Sequence, residues 1–266
     1  MDYTQLSQAL ATLCRHTGEF IRHEAQTFDR AKVETKGLHD LVSYVDQETE
    51  RRLVLGLREL LPEAGFITEE GTTGPAAAHQ TEYTWIIDPL DGTTNFVHGL
   101  PCYSISVALL HEKELVAGVV YEVNQDECFR AARGAGAFCN DQPIRVSTAA
   151  ELGQSLVATG FPYHNFDQLD QYLRLLGAFM RQTHGVRRVG SAAVDLAWVA
   201  AGRFESFFEF NLNSYDVAAG ILLVREAGGQ VTQWLEDGDP LFGREVLASN
   251  GAVHGAMQAT IREFWV

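Results

Sequence analysis

Positive charge is scarce in this 266-residue chain: 20 Lys and Arg stand against 35 Asp and Glu, a formal net charge of −15. A nucleic-acid backbone is gripped by Lys and Arg, so general nucleic-acid binding is excluded and no nucleic acid is expected as a partner. Small phosphates remain open to such a chain when metal ions supply positive charge locally. Cysteine is sparse as well. Cys14, Cys102, Cys128 and Cys139 are scattered, with no CxxC pair and no zinc-like spacing. That pattern excludes a disulfide scaffold and fits free, mostly buried thiols in a reducing cytoplasm. There is no run of about 18 apolar residues, so no membrane-spanning helix and no membrane partner are expected. The opening MDYTQLSQALATLCRH lacks a basic stretch followed by an apolar one, and reads as an amphipathic helix rather than a secretory signal. The nine histidines show no HxxxH spacing, and no internal repeat or low-complexity linker is visible.

With 46% hydrophobic residues the chain can bury a substantial core. Leu6, Leu10, Leu13 and Phe20 recur at helical spacing across 3–27, and 46–61 reads as a second helix stopped at Pro62. The stretch between them, ETKGLHDLVSYVD, has no periodicity and is expected to be a mobile loop. GFIT at 65–68 reads as a short strand, followed by a surface loop over 71–82. SISVALL, LVAGVVYEV and ECFRAARG read as an antiparallel meander, and the glycines of GAGAFCN as a hairpin turn rather than a nucleotide loop. Strands and helices then alternate: strand 155–161, helix 167–184, GVRRVG, helix 191–202, strand 204–210, a helix over SYDVAAGILLVREAGG, and the strands GQVTQW and EVLASN. The expected organisation is an α+β half at 1–145 carrying most metal ligands, joined to an α/β half at 146–266, with the seam near 141–150.

The chemistry concentrates in three acidic segments. In WIIDPLDGTTNF (85–96), Asp88 ends a hydrophobic strand, Pro89 forces an extended turn, and Asp91 points back into the same space. Two carboxylates that close repel unless a cation lies between them. Hard oxygen ligands suit Mg²⁺, with the Leu90 carbonyl as a further ligand. Gly92 lets backbone approach a ligand, and Thr93 and Thr94 begin a helix whose free N–H groups attract an anion. The plainer alternative is that Asp88 merely ends a strand and Asp91 caps a helix. Glu69, in TEEG, reaches the same metal if its strand lies beside that of Asp88; paired glutamates are otherwise common on surfaces. In NSYDVAAG (213–220), Ser214 reads as an N-cap and Asp216 lies in the first helical turn, where capping alone would account for it. Taken together, the segments form the pattern of a multi-metal phosphate site, with Glu69 and Thr93 orienting an attacking water and Asp88, Asp91 and Asp216 around the metal that steadies the leaving group.

The chain resembles the inositol monophosphatase family. WIIDPLDGTTNF at 85–96 and YDVAAG at 215–220 match its two signatures, with EE at 69–70 and GSAA at 190–193. The resemblance implies a layered αβαβα sandwich, a homodimer, lithium sensitivity and dependence on two or three Mg²⁺ ions. It assigns Glu69, Asp88, Asp91, Asp216 and the Leu90 carbonyl as metal ligands, Thr93 as the water-positioning threonine, and Asp46 as its acidic support. It also assigns the Gly92 and Thr93 amides to a phosphate cradle, Glu209 to sugar hydroxyls, Gly190, Ser191 and Ala192 to the loop along the substrate ring, and Lys36 to a loop near the site. Departures occur at KGLHDL, shorter than in animal members, and at NSYD, where many bacterial members have NPWD.

TNFVHGLP after DGT resembles the inositol monophosphatase branch, and a carboxylate at Glu209 suits a polyol. The implied substrate is a small phosphorylated polyol, inositol monophosphate first. Histidinol phosphate and other sugar phosphates are the alternatives within the chemistry. A regulatory protein associated with transcription machinery is the alternative of another class.

Overall fold

A computed structural model of the chain describes residues 1–29, 34–37, 40–73, 81–162, 166–235 and 238–265; for 34–37 and 40–42 it describes the backbone alone. In chain order the elements are α1 (Tyr3–Thr27), β1 (Glu34–Gly37), β2 (Asp40–Val42), α2 (Tyr44–Leu60), β3 (Gly65–Thr68), β4 (Tyr83–Asp91), α3 (Thr93–His98), β5 (Ser104–His111), β6 (Glu114–Glu122), β7 (Glu127–Ala132), β8 (Gly136–Cys139) and β9 (Gln142–Ile144). They continue with β10 (Leu156–Thr159), α4 (Leu169–Gln182), β11 (Gly185–Arg187), α5 (Ala192–Ala200), β12 (Ser206–Phe210), α6 (Ser214–Glu226), β13 (Gln230–Thr232), β14 (Glu245–Ser249) and α7 (His254–Phe264).

Two sheets carry the architecture. β3 to β9 form a seven-stranded sheet in sequence order. It is an antiparallel meander except at its edge, where β3 runs parallel to β4. The second sheet has the order β11-β10-β12-β14-β13, with β10 parallel to both its neighbours and β14 antiparallel to β12 and β13.

Strand alternation turns these sheets into layers, because successive side chains leave a strand on opposite faces. On β4, Trp85 and Ile87 pack with Leu10, Cys14 and Ile21 of α1 and Leu53 and Leu57 of α2. Ile86, between them, packs with Ala193 and Leu196 of α5 and Ala219 and Leu223 of α6. Phe207 of β12 joins that same middle cluster, whereas its neighbour Phe208 faces Tyr172 and Phe179 of α4 and Met257 and Ile261 of α7. The order is helix pair, seven-stranded sheet, helix pair, five-stranded sheet, helix pair, which is the αβαβα sandwich. The middle helices approach closely: an added Cβ on Gly118 of β6 would lie 3.2 Å from the Ala219 Cα.

Two readings of the sequence need correction. The stretch taken as a mobile loop contains an antiparallel ribbon, β1 with β2, with a register irregularity between Thr35 and Gly37. Backbone pairing makes that ribbon, and pairing leaves no side-chain period to read. β4 does not end at Asp88. It runs on to Asp91 with an irregularity between the two aspartates, so that Asp88 pairs with Ser106 and Asp91 with Ser104. Pro89 is tolerated because β3 pairs with β4 only up to Ile87. The helix α7 had no sequence expectation. The four cysteines are unpaired, and no helix among the described residues is long and apolar enough to cross a membrane.

Candidate active site

The ends of several elements meet at one cavity of about 440 Å³. Glu69 lies just past β3, Asp91 closes β4, Gly92 and Thr93 open α3, Ser191 caps α5, Glu209 is on β12 and Asp216 is in the first turn of α6; all of them line the cavity. Asp88 does not reach the wall. It is buried directly behind it, with its Oδ1 accepting the Leu90 N–H at 3.0 Å.

The folding logic of each position is local. The Glu69 N–H donates to the Ile87 carbonyl at 3.3 Å, which brings Glu69 alongside Asp88. The turn after Glu69 is tied down by a fully buried carboxylate, Glu50 of α2. Its oxygens accept the N–H groups of Glu70 (2.7 Å) and Thr72 (2.8 Å) and the Thr72 hydroxyl (2.6 Å). Asp91 is held from the opposite sheet-facing layer. Its Oδ2 accepts the Ser191 hydroxyl at 2.6 Å and the Ala193 N–H at 2.7 Å, so the start of α5 binds a carboxylate as a helix N-terminus favours. Thus GSAA does more than border the cavity, since its serine and Ala193, the second residue of α5, fix Asp91. Asp216 is the N3 partner in a capping box and accepts the Asn213 N–H at 2.6 Å. The cap is therefore Asn213, and Ser214, expected as the cap, is the first helical residue.

Gly92 sits at φ +96, and a Cβ there would lie 3.0 Å from the Cys102 carbonyl and 3.2 Å from that of Gly190. Only glycine combines that backbone angle with that approach. It caps α3 without a side chain. Thr93 follows, and its hydroxyl has acceptors at 2.9 Å on either side, Asp46 Oδ1 and the Leu90 carbonyl. Asp46 is itself locked by the α2 capping box, accepting the Ser43 N–H (2.9 Å) and hydroxyl (2.7 Å).

Electrostatically the site is overloaded with acid. Burial raises the pKa of Glu69 well above the usual carboxylate range, and Asp216 and Glu70 add to it. Burial followed by Glu69 and Asp91 does the same to Asp88. Asp91 is raised by burial, opposed by its bonds from Ser191 and Ala193. Burial pushes Asp216 to about 7 against the Asn213 bond, and Glu209 to about 8 against the pull of Arg188. Burial also raises Asp46, with the Ser43 and Thr93 bonds opposing. One oxygen of Glu69, Oε2, is buried without a hydrogen-bond partner among the described residues.

These observations test the fit of a hard cation. Beyond burial, Asp88 is raised by Glu69, Asp91 and Asp216, and Glu69 by Asp216, the donor atoms are all oxygens, and one of them has no partner among the described residues, which is the donor set a divalent hard cation takes. Glu69, Asp91 and Asp216 share a wall with Asp88 behind it, rather than a finished cage: among the described residues no three His, Cys, Asp or Glu side chains already stand arranged around a metal position.

Of the expected residues, Gly190 and Ala192 line the cavity with Ser191, and the Leu90 carbonyl faces Thr93. The Lys36 side chain lies outside the described residues. Glu209 is accommodated by Gly160, where an added Cβ would fall 1.9 Å from the carboxyl carbon. Sequence reasoning missed Arg188, Asp195 and Arg244 in the wall, and Glu50 and Asn95 behind it. Asn95 lay inside the first signature; its Nδ2 donates to the carbonyls of Cys102 (2.8 Å) and Val189 (2.9 Å), tying the segment before β5 to the loop before α5. The others carried no local signal, because a lone Arg or Asp on a periodic segment reads as surface or cap.

Comparison with known proteins places the chain in a family. The model of the inositol monophosphatase family matches residues 2–265. The chain is 47% identical over 250 residues to the putative Nus factor SuhB of Neisseria meningitidis, covering 91% of this chain and 92% of that one. It is 40% identical over 247 residues to the inositol-1-monophosphatase of Rhizobium meliloti, covering 92% and 91%. The crystal structure of the extragenic suppressor protein SuhB from Bartonella henselae superposes with a TM-score of 0.90 at 36% identity, covering 97% of this chain and 99% of that one. The chain belongs to the inositol monophosphatase family.

Proposed function

We propose that this member of the family hydrolyses a small phosphate monoester, inositol monophosphate first among candidates, in a reaction that depends on Mg²⁺. The observation that carries the reading is the joining of an acid-walled cavity to a hydroxyl, Thr93, backed by a buried carboxylate, Asp46. Glu69, Asp88, Asp91, Asp216 and the Leu90 carbonyl are the groups that would hold two or three ions. When bound, such ions supply Lewis-acid stabilisation of the phosphoryl oxygens and a more acidic water.

The chain's own residues do the rest. The N–H groups at Gly92 and Thr93, where α3 starts without a side-chain cap, would face the phosphate. With its proton directed to Asp46, Thr93 turns a lone pair to the attacking water, and the Glu69 carboxylate fixes the water's other side. As the water oxygen bonds to phosphorus, its proton passes to the Thr93–Asp46 pair; the ester P–O bond breaks on the opposite side, and the leaving oxygen takes a proton from solvent water as the alcohol departs. Glu209 accepts hydrogen bonds from the hydroxyls of that alcohol, which favours a polyol.

Phosphate release tests the reading, with inositol-1-phosphate, histidinol phosphate, fructose-1,6-bisphosphate and adenosine 3′,5′-bisphosphate, each with Mg²⁺ and with EDTA. Mg²⁺-dependent turnover strongest on inositol-1-phosphate is expected. Turnover strongest on another member replaces the substrate, and none on any ester from folded, Mg²⁺-binding protein overturns the reading.

A second reading is favoured by the relatives named Nus factors: an association with transcription machinery in addition to, or instead of, catalysis. Asp91→Asn separates the two, since it should abolish turnover while leaving a purely associative role intact.

A further inference from the structure

β12 and β14 make their last backbone pair at Phe210 and Glu245. The residues directly beyond that pair, Asn211 and Arg244, both take left-handed backbone angles, φ +64 and φ +65. Asparagine tolerates that conformation, whereas arginine rarely adopts it, and the neighbouring glycine, Gly243, is not the residue placed there. A residue held at an unfavourable backbone angle points to a role for its side chain. Three bonds show what Arg244 does. Its carbonyl accepts the Leu212 N–H at 3.1 Å, its Nη2 donates to the Asn211 carbonyl at 3.0 Å, and its Nη1 donates to Asn213 Oδ1 at 3.0 Å. Asn213 caps α6, and its N–H donates to Asp216 Oδ2 at 2.6 Å. The bonds thus run from the edge of β14, through the α6 cap, to a carboxylate of the acid wall. Arg244, Asn211, Asn213 and Asp216 all line the cavity.

We propose that Arg244 is a positioning residue: it clamps the β12–α6 loop, residues 211–213, so that the start of α6 presents Asp216 to a metal ion in one orientation. Charge does not account for it. The Arg244 cation acts on Asp216 electrostatically, and a cation beside a place for divalent cations works against them. The planar guanidinium fork supplies the compensation, since it holds two acceptors at once where an ammonium offers only a point charge. The inference rests on the phosphatase reading above, which makes Asp216 a metal ligand, and adds the residue that holds that ligand in place.

Calorimetric titration of Mg²⁺ into metal-free wild-type, Arg244→Lys and Arg244→Gly protein tests this. Thermal melting checks folding, and phosphate release from the four esters named above is measured alongside. Lysine keeps the charge and loses the fork. Glycine removes charge and side chain but suits the left-handed angle, so the turn and its carbonyl bond to Leu212 survive. Losing a group that orients a metal ligand costs about 10–100-fold in affinity, and Arg244 stands one bond further back, so both variants should bind Mg²⁺ about fivefold or more weakly. Charge alone predicts the reverse, with Arg244→Lys like wild type and Arg244→Gly binding more tightly. If Arg244→Gly does not fold, Arg244→Lys carries the comparison. Affinity within about twofold of wild type in either folded variant, a change too small for a lost orienting group, overturns the inference, as does tighter binding by Arg244→Gly. Wild-type protein that binds Mg²⁺ but hydrolyses none of the esters overturns the phosphatase reading alone, and the titrations still decide the role of Arg244. Wild-type protein that binds no Mg²⁺ overturns both.

Discussion

Thr93 and Asp46 lie 47 residues apart in sequence and meet in a 2.9 Å hydrogen bond across the join of α2 and α3. The same carboxyl group closes the α2 capping box, so helix nucleation and the candidate catalytic pair depend on one side chain. Thr93→Val keeps the shape and removes the hydroxyl. General acid–base groups contribute about 10²–10⁴-fold, so kcat should fall by about 100-fold or more, whereas Thr93→Ser should stay within about fivefold of wild type. Equal kcat values for Val and Thr at this position would remove Thr93 from the mechanism.

Much of this was legible in the chain because of how it is encoded. WIIDPLDGTTNF packs a strand, a bulge, a left-handed glycine and a helix start into consecutive residues, so its chemistry reads locally. The αβαβα layering was implied by resemblance, and neighbouring residues such as Phe207 and Phe208 show how strand alternation realises it. What could not be read arrives from distant elements. Glu50 looks like one more charge on an amphipathic helix until the Glu70–Thr72 turn folds onto it. Asp195 looks like an ordinary first-turn acid until one of its oxygens is seen to lack a partner among the described residues. The β1–β2 ribbon and the Asn213 cap were missed because backbone pairing and a one-residue shift of a helix start leave no periodic trace.

Glu50 supports a prediction about metal rather than about chemistry. Glu50→Ala leaves the half-buried N–H groups of Glu70 and Thr72 without this acceptor, and a stranded donor shielded from water costs about 1–3 kcal/mol. Stability should fall by about 2–3 kcal/mol. The Mg²⁺ concentration for half-maximal activity should rise, because the turn carrying Glu69 loosens. Calorimetric titration of Mg²⁺ into the folded variant checks this directly; unaltered affinity would leave Glu50 a purely structural residue.

The raised carboxyl pKa values set the sign of a pH effect in metal-free protein. Glu209 at about 8 and Asp216 at about 7 bind protons more tightly folded than unfolded. Their stabilising contribution is complete below the ordinary carboxylate range near about 4, and is lost as pH rises through about 7 and 8. With EDTA present, Tm should therefore fall between pH 5 and pH 8.5. Glu209→Gln should flatten that fall, and Mg²⁺ should restore Tm at the alkaline end by binding the folded state alone. A Tm that climbs with pH under EDTA would contradict the assignment of buried, mutually repelling acids.

Gly160 offers a way to disturb substrate binding while leaving the reacting centre alone. An added Cβ would occupy the position of the Glu209 carboxyl, 1.9 Å from its carbon, so Gly160→Ala must push that side chain aside. Gly160 lies in the cavity wall but makes no contact with Thr93 or Asp46 among the bonds described above. A group that binds ground state and transition state alike changes KM with little change in kcat. The KM for inositol-1-phosphate should rise about tenfold, equivalent to about 1.4 kcal/mol, with kcat held within about threefold. Gly92→Ala should do the opposite. Its added Cβ meets the Cys102 and Gly190 carbonyls at a backbone angle that L-residues avoid, so the start of α3 must shift and kcat should bear the loss. Steady-state kinetics on the two variants side by side decides the matter: a fall in kcat from both, at unchanged KM, would mean that Glu209 does not bind the leaving alcohol.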